Sequence, residues 1–69
     1  MPESTYKIIE LVGTSTDSWE QAAANAVKKA SGSIRDLRIA EVEMLDMHIE
    51  DGKPALYRAK LKVSFKYEG

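Results

Sequence analysis

The order of apolar and polar residues divides this chain into two kinds of segment. Residues 6–12 are rich in β-branched and aromatic side chains and run up to Gly13, which predicts a first strand ended by a turn. Residues 40–50 and 55–67 alternate in polarity and predict two more strands. Between them lies a stripe of apolar residues at helical spacing, formed by Trp19, Ala22, Ala23, Ala26, Val27 and Ala30.

The predicted helix has recognisable signals at both borders. Asp17 precedes Glu20 by three positions, which is the spacing of a capping box, so we expect the helix to begin there. Gly32 follows the stripe and is expected to end the helix in a left-handed conformation. The glycine and hydroxyl residues at 13–15 could instead cradle a phosphate, but no second glycine and no Gly-Lys-Ser/Thr ending follows, so capping is preferred.

The Asp51-Gly52 pair predicts a type I′ hairpin turn that places Glu50 opposite Lys53. Counting back from the turn gives one apolar face and one charged face, which is the arrangement expected of a sheet covered on one side. The apolar face pairs Ala40 with Val63, Val42 with Leu61 and Met44 with Ala59, and the charged face pairs Glu41 with Lys62 and Glu43 with Lys60.

The predicted fold class is therefore α+β, a β-α-β-β unit whose three-stranded antiparallel sheet has the order 1-3-2 and wraps on one helix. The second strand is then an unpaired edge, which invites pairing with another copy of the chain. In this register Leu45, Met47 and Ile49 lie on the charged face near the turn, and Met47 faces Leu56. Because nothing else in the chain covers these apolar side chains near the hairpin turn, we predict that they form an oligomer interface. The alternative is a flexible hydrophobic hairpin tip exposed to solvent. The predicted interface residues are Met47, Ile49, Pro54 and Leu56.

Composition strengthens the case for association. With 69 residues there is room for one domain, expected over 6–69 after a flexible tail over 1–5, and its core is small. Without cysteine, neither a disulfide nor a thiolate metal site can stabilise it. A net charge of -1 argues against nucleic-acid and membrane partners. No signal peptide or membrane span is recognisable, so we expect a cytoplasmic protein.

Candidate chemistry is sparse. His48 is the one histidine, and its neighbours Asp46 and Glu50 lie on the same face of the strand. We expect its side chain to be simply exposed to solvent. The alternatives are a weak metal cluster with these two acids and a small catalyst that uses His48. No nucleophile and base are recognisable, and we expect no catalytic residue and no enzyme. Trp19 begins the helical stripe, which favours packing in the core or an interface over stacking on a planar ligand.

Several segments resemble the dodecin family across nearly the whole chain. They are Glu10-Leu11-Val12-Gly13-Thr14-Ser15, the alanine-rich helix, Ala40-Glu41-Val42, the Asp51-Gly52 turn and Lys62-Val63-Ser64-Phe65. The resemblance implies a homododecameric hollow shell that sequesters flavins, with coenzyme A as a further ligand in some members.

The resemblance also implies where a flavin pocket would be and that this chain has altered it. The stacking tryptophan of flavin-binding dodecins falls on Ile39, the ring-binding glutamine on Arg58, and a basic residue of the second strand on Asp46. Ile39 cannot stack, and Asp46 would repel a flavin phosphate. The expected ligand-pocket residues are Ile39, Leu45, Asp46 and Arg58.

Two hypotheses about the ligand follow from this resemblance. The chain looks closer to the subgroup that contains a calcium-binding dodecin, so the first hypothesis is a non-enzymatic store for a small ligand or cation. Asp46 is its candidate metal ligand because its carboxylate is expected to be unpaired. The second hypothesis is sequestration of riboflavin or FMN, with Arg58 hydrogen-bonding the ring edge. The cofactor therefore remains open between flavin and calcium.

Overall fold

A computed structural model describes residues 3–67 of the chain. Its elements are strand β1 (Tyr6–Ser15), helix α1 (Trp19–Ser31), strand β2 (Leu37–Glu50) and strand β3 (Lys53–Lys66). The antiparallel sheet has the order β1-β3-β2, which confirms the predicted fold class. The outermost residues of the predicted tail and domain, 1–2 and 68–69, lie outside the described residues. No helix within 3–67 is long and apolar enough to cross a membrane.

Helix α1 covers one face of the sheet, here called the inner face, and the opposite face is called the outer face. The core between them is small: Ala22 and Ala26 of the helix pack against Ala59, Leu61 and Val63 of β3. Alternate residues of β3 therefore point to the outer face, which no element of residues 3–67 covers. A core of this size is marginal for a chain of 69 residues.

Strand β1 does not stop at Gly13 as predicted, because the glycine serves the helix contact rather than a turn. The strand continues to Ser15 and pairs with β3 without interruption. A Cβ atom at Gly13 would overlap the carbonyl oxygen of Ala22 and lie 2.8 Å from the Cβ of Ala26. The absent side chain lets helix and sheet approach closely.

Both predicted helix borders need correction. Ser18, not Asp17, is the N-cap: its Oγ accepts a hydrogen bond of 3.0 Å from the backbone N–H of Gln21. Gly32 ends the helix in a right-handed conformation, with φ of -74°. The left-handed residue is Asp36, with φ of 61°, where the chain turns into β2.

The hairpin turn is as predicted, and so is the register at its two ends. Asp51 and Gly52 both have positive φ, as a type I′ turn requires. The confirmed cross-strand pairs are Glu50–Lys53, Val42–Leu61, Glu41–Lys62 and Ala40–Val63.

Between these ends the register moves by one residue, because Glu43 and Ala55 are left unpaired. Leu45 therefore pairs with Ala59, and Met47 pairs with Tyr57. The predicted pairs Met44–Ala59, Glu43–Lys60 and Met47–Leu56 are wrong. The placement of Leu45 and Met47 on the charged face is also wrong, since both now share the side of Ala59; Ile49 lies beyond the second shift and pairs with Pro54, as in the predicted register. The actual partners are Met44 with Lys60 and His48 with Leu56.

Candidate functional site

Basic side chains form a column along the outer face of the central strand. They are Arg58, Lys60 and Lys62, which alternate with the buried residues of β3. Acids of both edge strands flank the two lysines, and an acid of β2 flanks Arg58. The Lys60 Nζ lies 3.8 Å from carboxylate oxygens of both Glu10 and Glu43. The Lys62 Nζ lies 3.1 Å from the second oxygen of Glu43, and this hydrogen bond raises the pKa of Lys62. The outer face is thus charged but largely neutralised.

Asp46 and Arg58 form a two-point ion pair at one end of this column. The Arg58 Nε donates to Oδ1 of Asp46 at 2.7 Å, and Nη2 donates to Oδ2 at 3.2 Å. The hydrogen bond from Arg58 holds the pKa of the Asp46 carboxyl below its usual range. The expectation that the Asp46 carboxylate is unpaired is wrong, because the register shift sets the two residues directly opposite each other.

Because the pKa of Asp46 is lowered, the contribution of this ion pair to the stability of the fold depends on pH. A carboxylate with a depressed pKa stabilises the fold above the pKa that it has in the unfolded chain. That contribution is lost as the pH falls through the lower pKa of the folded state. The side chains of Asp46 and Arg58 are 46% and 47% exposed, so the effect on stability is screened by solvent.

The four predicted pocket residues do not meet within one chain. Ile39 is on the outer face, 67% exposed, and pairs with Ser64. It lies seven positions before Asp46 on the strand, or about 23 Å away at the usual rise. Leu45 lies on the inner side, opposite Ala59. The structure therefore brings together Asp46 and Arg58 only, and a site that includes Ile39 as well needs a second copy of the chain.

Trp19 is the residue near this site that the sequence did not identify. Its indole Nε1 donates a 2.8 Å hydrogen bond to the backbone oxygen of Asp46 on the free edge of β2. Its ring meets Tyr57 edge to face, with centroids 5.1 Å apart. The helix start thus holds the backbone that carries the Asp46 carboxylate. Helical spacing placed Trp19 on the inner side but gave no sign of this partner.

Replacing Trp19 with phenylalanine tests this positioning role. We expect Trp19→Phe to lower the free energy of unfolding by about 1 kcal/mol, because a ring remains against Tyr57 while the indole donor is lost. Urea denaturation at fixed protein concentration measures it. Tyr57→Phe is the matched control, since it keeps the ring contact and leaves the indole bond intact. Equal losses in the two variants would show that the bond to Asp46 does not account for the effect.

An apolar groove of about 480 Å³ opens beside Trp19 on the inner side, between the helix and β2. Its lining includes Val42 and Leu45, both about half exposed in the single chain. The hairpin extends beyond the last pair of β1 with β3, so its tip is two-stranded. Ile49 in this tip is 62% exposed, and it pairs with Pro54.

His48 is also at the tip, with Nε2 3.4 Å from a carboxylate oxygen of Glu50. Both side chains are exposed. Within residues 3–67, no three histidine, aspartate or glutamate side chains are grouped so that they could hold a metal ion.

A family model, a relative of similar sequence and solved structures all relate this chain to the same family. The family model for dodecin matches residues 5–68. The calcium dodecin of Mycobacterium tuberculosis (strain ATCC 25618 / H37Rv) is 51% identical over 63 residues, which cover 91% of this chain and 89% of the relative. Its solved structure, described as calcium chelating with a novel calcium-binding site, superposes with a TM-score of 0.84 at 49% identity and covers 94% of this chain and 93% of its own. The structure of the dodecin of Streptomyces coelicolor superposes with a TM-score of 0.94 at 42% identity and covers 100% of this chain and 99% of its own.

Proposed function

Because this chain belongs to the dodecin family, we propose that it is a non-enzymatic binding and storage protein that works as a homododecamer. Its ligand is a small molecule or a cation, and its flavin pocket is altered. Its partners are copies of itself rather than nucleic acid or a membrane, and it acts in the cytoplasm. The small core and the half-exposed apolar side chains beside Trp19 and at the hairpin tip support assembly.

The main observation that supports an altered flavin pocket is the ion pair between Asp46 and Arg58. At the position that the resemblance assigns to a ring-binding glutamine, the guanidinium already donates two hydrogen bonds to a carboxylate. At the position of the stacking ring, Ile39 offers an exposed aliphatic side chain. This chain therefore has neither the glutamine nor the stacking ring of a flavin pocket at these two positions.

Calcium is the cation that the name of the calcium dodecin relative points to. Asp46 is its proposed ligand, through the carboxylate lone pairs that the two bonds from Arg58 leave free. Calcium takes six to eight oxygen ligands, far more than one carboxylate provides. Residues 3–67 of one chain hold no group of three acidic or histidine side chains at one place. We infer that the remaining oxygens come from other copies of the chain, so that the cation site exists only in the assembly.

Calorimetric titration with calcium after chelator treatment tests this proposal. We expect the native protein to bind calcium as a dodecamer and Asp46→Asn to bind it at least about tenfold more weakly, because one anionic ligand is lost. Glu43→Gln removes the same charge from the same face and should stay close to the native affinity. A protein that is only monomer or dimer by native mass spectrometry at micromolar concentration would refute the assembly. Equal calcium affinity in the native protein and Asp46→Asn would refute the site.

Flavin sequestration is the second candidate, and the exposure of Arg58 favours it. Nearly half of that side chain is accessible to solvent, so its remaining nitrogen, Nη1, can reach a ring edge. Fluorescence titration with riboflavin and FMN separates the candidates. Quenching at stoichiometric protein would establish this second function, and unchanged fluorescence at saturating protein would remove it.

A further inference from the structure

The acids on the outer face are not shared equally among the three basic residues of β3. Lys60 lies between two carboxylates, one from each edge strand. Lys62 has Glu43 as its hydrogen-bond partner and feels the charges of Glu10 and Glu41 as well. Among residues 3–67, the ion pair of Arg58 involves a single acid, Asp46, and its partner on β1 is the neutral Thr14. At this end of the column one side chain therefore decides whether the cation is neutralised.

We propose that Asp46 is a specificity-determining residue that masks Arg58 and so excludes phosphate-bearing ligands from the outer face. The proposal rests on the function proposed above, ligand binding by this shell, and names the class of ligand: uncharged molecules and cations. A guanidinium recognises phosphate through a planar pair of N–H donors. Nε and Nη2 of Arg58 form such a pair, and both donate to Asp46.

Electrostatics act in the same direction as the hydrogen bonds. An anionic ligand that took the Nε–Nη2 pair of Arg58 would have to displace a carboxylate held at 2.7 Å, and one that bound the remaining Nη1 would stay beside the negative charge of Asp46. A neutral ligand meets no such repulsion, and a cation is attracted to the carboxylate. Because both side chains are about half exposed, the pair lies where a ligand can reach it.

Trp19 limits how far the backbone of Asp46 can move relative to Arg58. The backbone of Asp46 is paired with β3 on one side, and its carbonyl oxygen accepts the indole hydrogen bond on the other. The carboxylate therefore extends from a backbone position that is held from both sides, so that only its side-chain torsions can move it away from Arg58. The Asp46 backbone thus keeps its place opposite Arg58, and a ligand competes with the ion pair only through rotation of the two side chains.

Titration of the intact oligomer with inorganic pyrophosphate at low ionic strength tests the proposal by calorimetry. The native protein should bind it weakly, and Asp46→Asn should bind it about tenfold more tightly or better, the gain expected when a two-point charged contact becomes available. Glu43→Gln is the matched control, because it makes the same change of net charge on the same face. It should remain within about threefold of the native protein, since Lys60 and Lys62 keep other acids. Asp46→Asn/Arg58→Gln should lose the gain.

Each result decides the question. An equal gain in Glu43→Gln would assign the effect to net charge, and a gain that persists in the double variant would assign it to another residue; either overturns the proposal, as does no gain in Asp46→Asn. If Asp46→Asn does not assemble, Asp46→Ser replaces it, and failure of both would make Asp46 structural and overturn the proposal too. Failure of the proposed function looks different: the native protein then forms no dodecamer, or it binds neither calcium nor flavin.

Discussion

Gly13→Ala is expected to destabilise the protein by about 3 kcal/mol, a large part of the stability of so small a domain. The added Cβ would overlap the backbone oxygen of Ala22 and crowd the side chain of Ala26. Neither neighbour can step aside, because one is helix backbone and the other belongs to the core. The helix must therefore move away from the sheet and open the contact along the whole alanine stripe. Urea denaturation, with the protein concentration held fixed, measures the loss.

Gly32→Ala provides the control, with the opposite expected sign. Gly32 already has a right-handed conformation, and the nearest atom to an added Cβ is the Lys29 oxygen at 3.4 Å. Alanine there should stabilise the protein by about 0.5 kcal/mol by restricting the unfolded chain. If both variants lost stability to the same degree, the close approach at Gly13 would not be the cause.

Ile49→Asp is expected to dissociate the oligomer while leaving the single chain folded. Ile49 is 62% exposed, so its own chain gains little from it, whereas the dodecamer proposed here would bury it in an interface. Burying an unpaired carboxylate costs about 3 kcal/mol or more, and the cost is repeated in every copy. Sedimentation velocity should show the largest species replaced by smaller ones, with little change in circular dichroism.

Met47→Asp should also break the assembly, but with a loss of chain stability. Met47 is half-buried on the inner side and pairs with Tyr57, so a charge there disturbs its own chain too. Ile49→Leu keeps the apolar surface and should leave the oligomer intact. An unaltered sedimentation profile for Ile49→Asp would mean that the hairpin tip is not the interface.

The sequence predicted the elements and their order because each rests on a local signal. The helical stripe, the Asp51-Gly52 turn and the alternation of β3 are all read within a few residues. The predicted register is wrong in the middle of the hairpin because Glu43 is unpaired there. The sequence marks this bulge only by a change of phase, in which the apolar positions pass from even to odd numbers between Met44 and Leu45. One unpaired residue then reassigned Leu45 and Met47 to the other side.

The same error concealed most of the candidate site. The acidic residue at position 46 can be recognised in the sequence, but its pairing with Arg58 can be recognised only in the correct register. The bond from Trp19 to the backbone of Asp46 is invisible in principle to pattern analysis, because any residue has a carbonyl oxygen. What the sequence could establish was which positions had changed; what the structure added was how two of them neutralise each other.

The unpaired residues of the hairpin also bear on shape. Register shifts occur at Arg38, Glu43 and Ala55, all between β2 and β3, whereas β1 and β3 pair without a break. Each bulge increases the local right-handed twist and bends its strand. We therefore expect the β1–β3 half of the sheet to be regular and the β2–β3 half to be curved. In a closed shell the angle between neighbouring copies would then depend on three single residues, and losing one would change the curvature of the wall before it changed the fold of the chain.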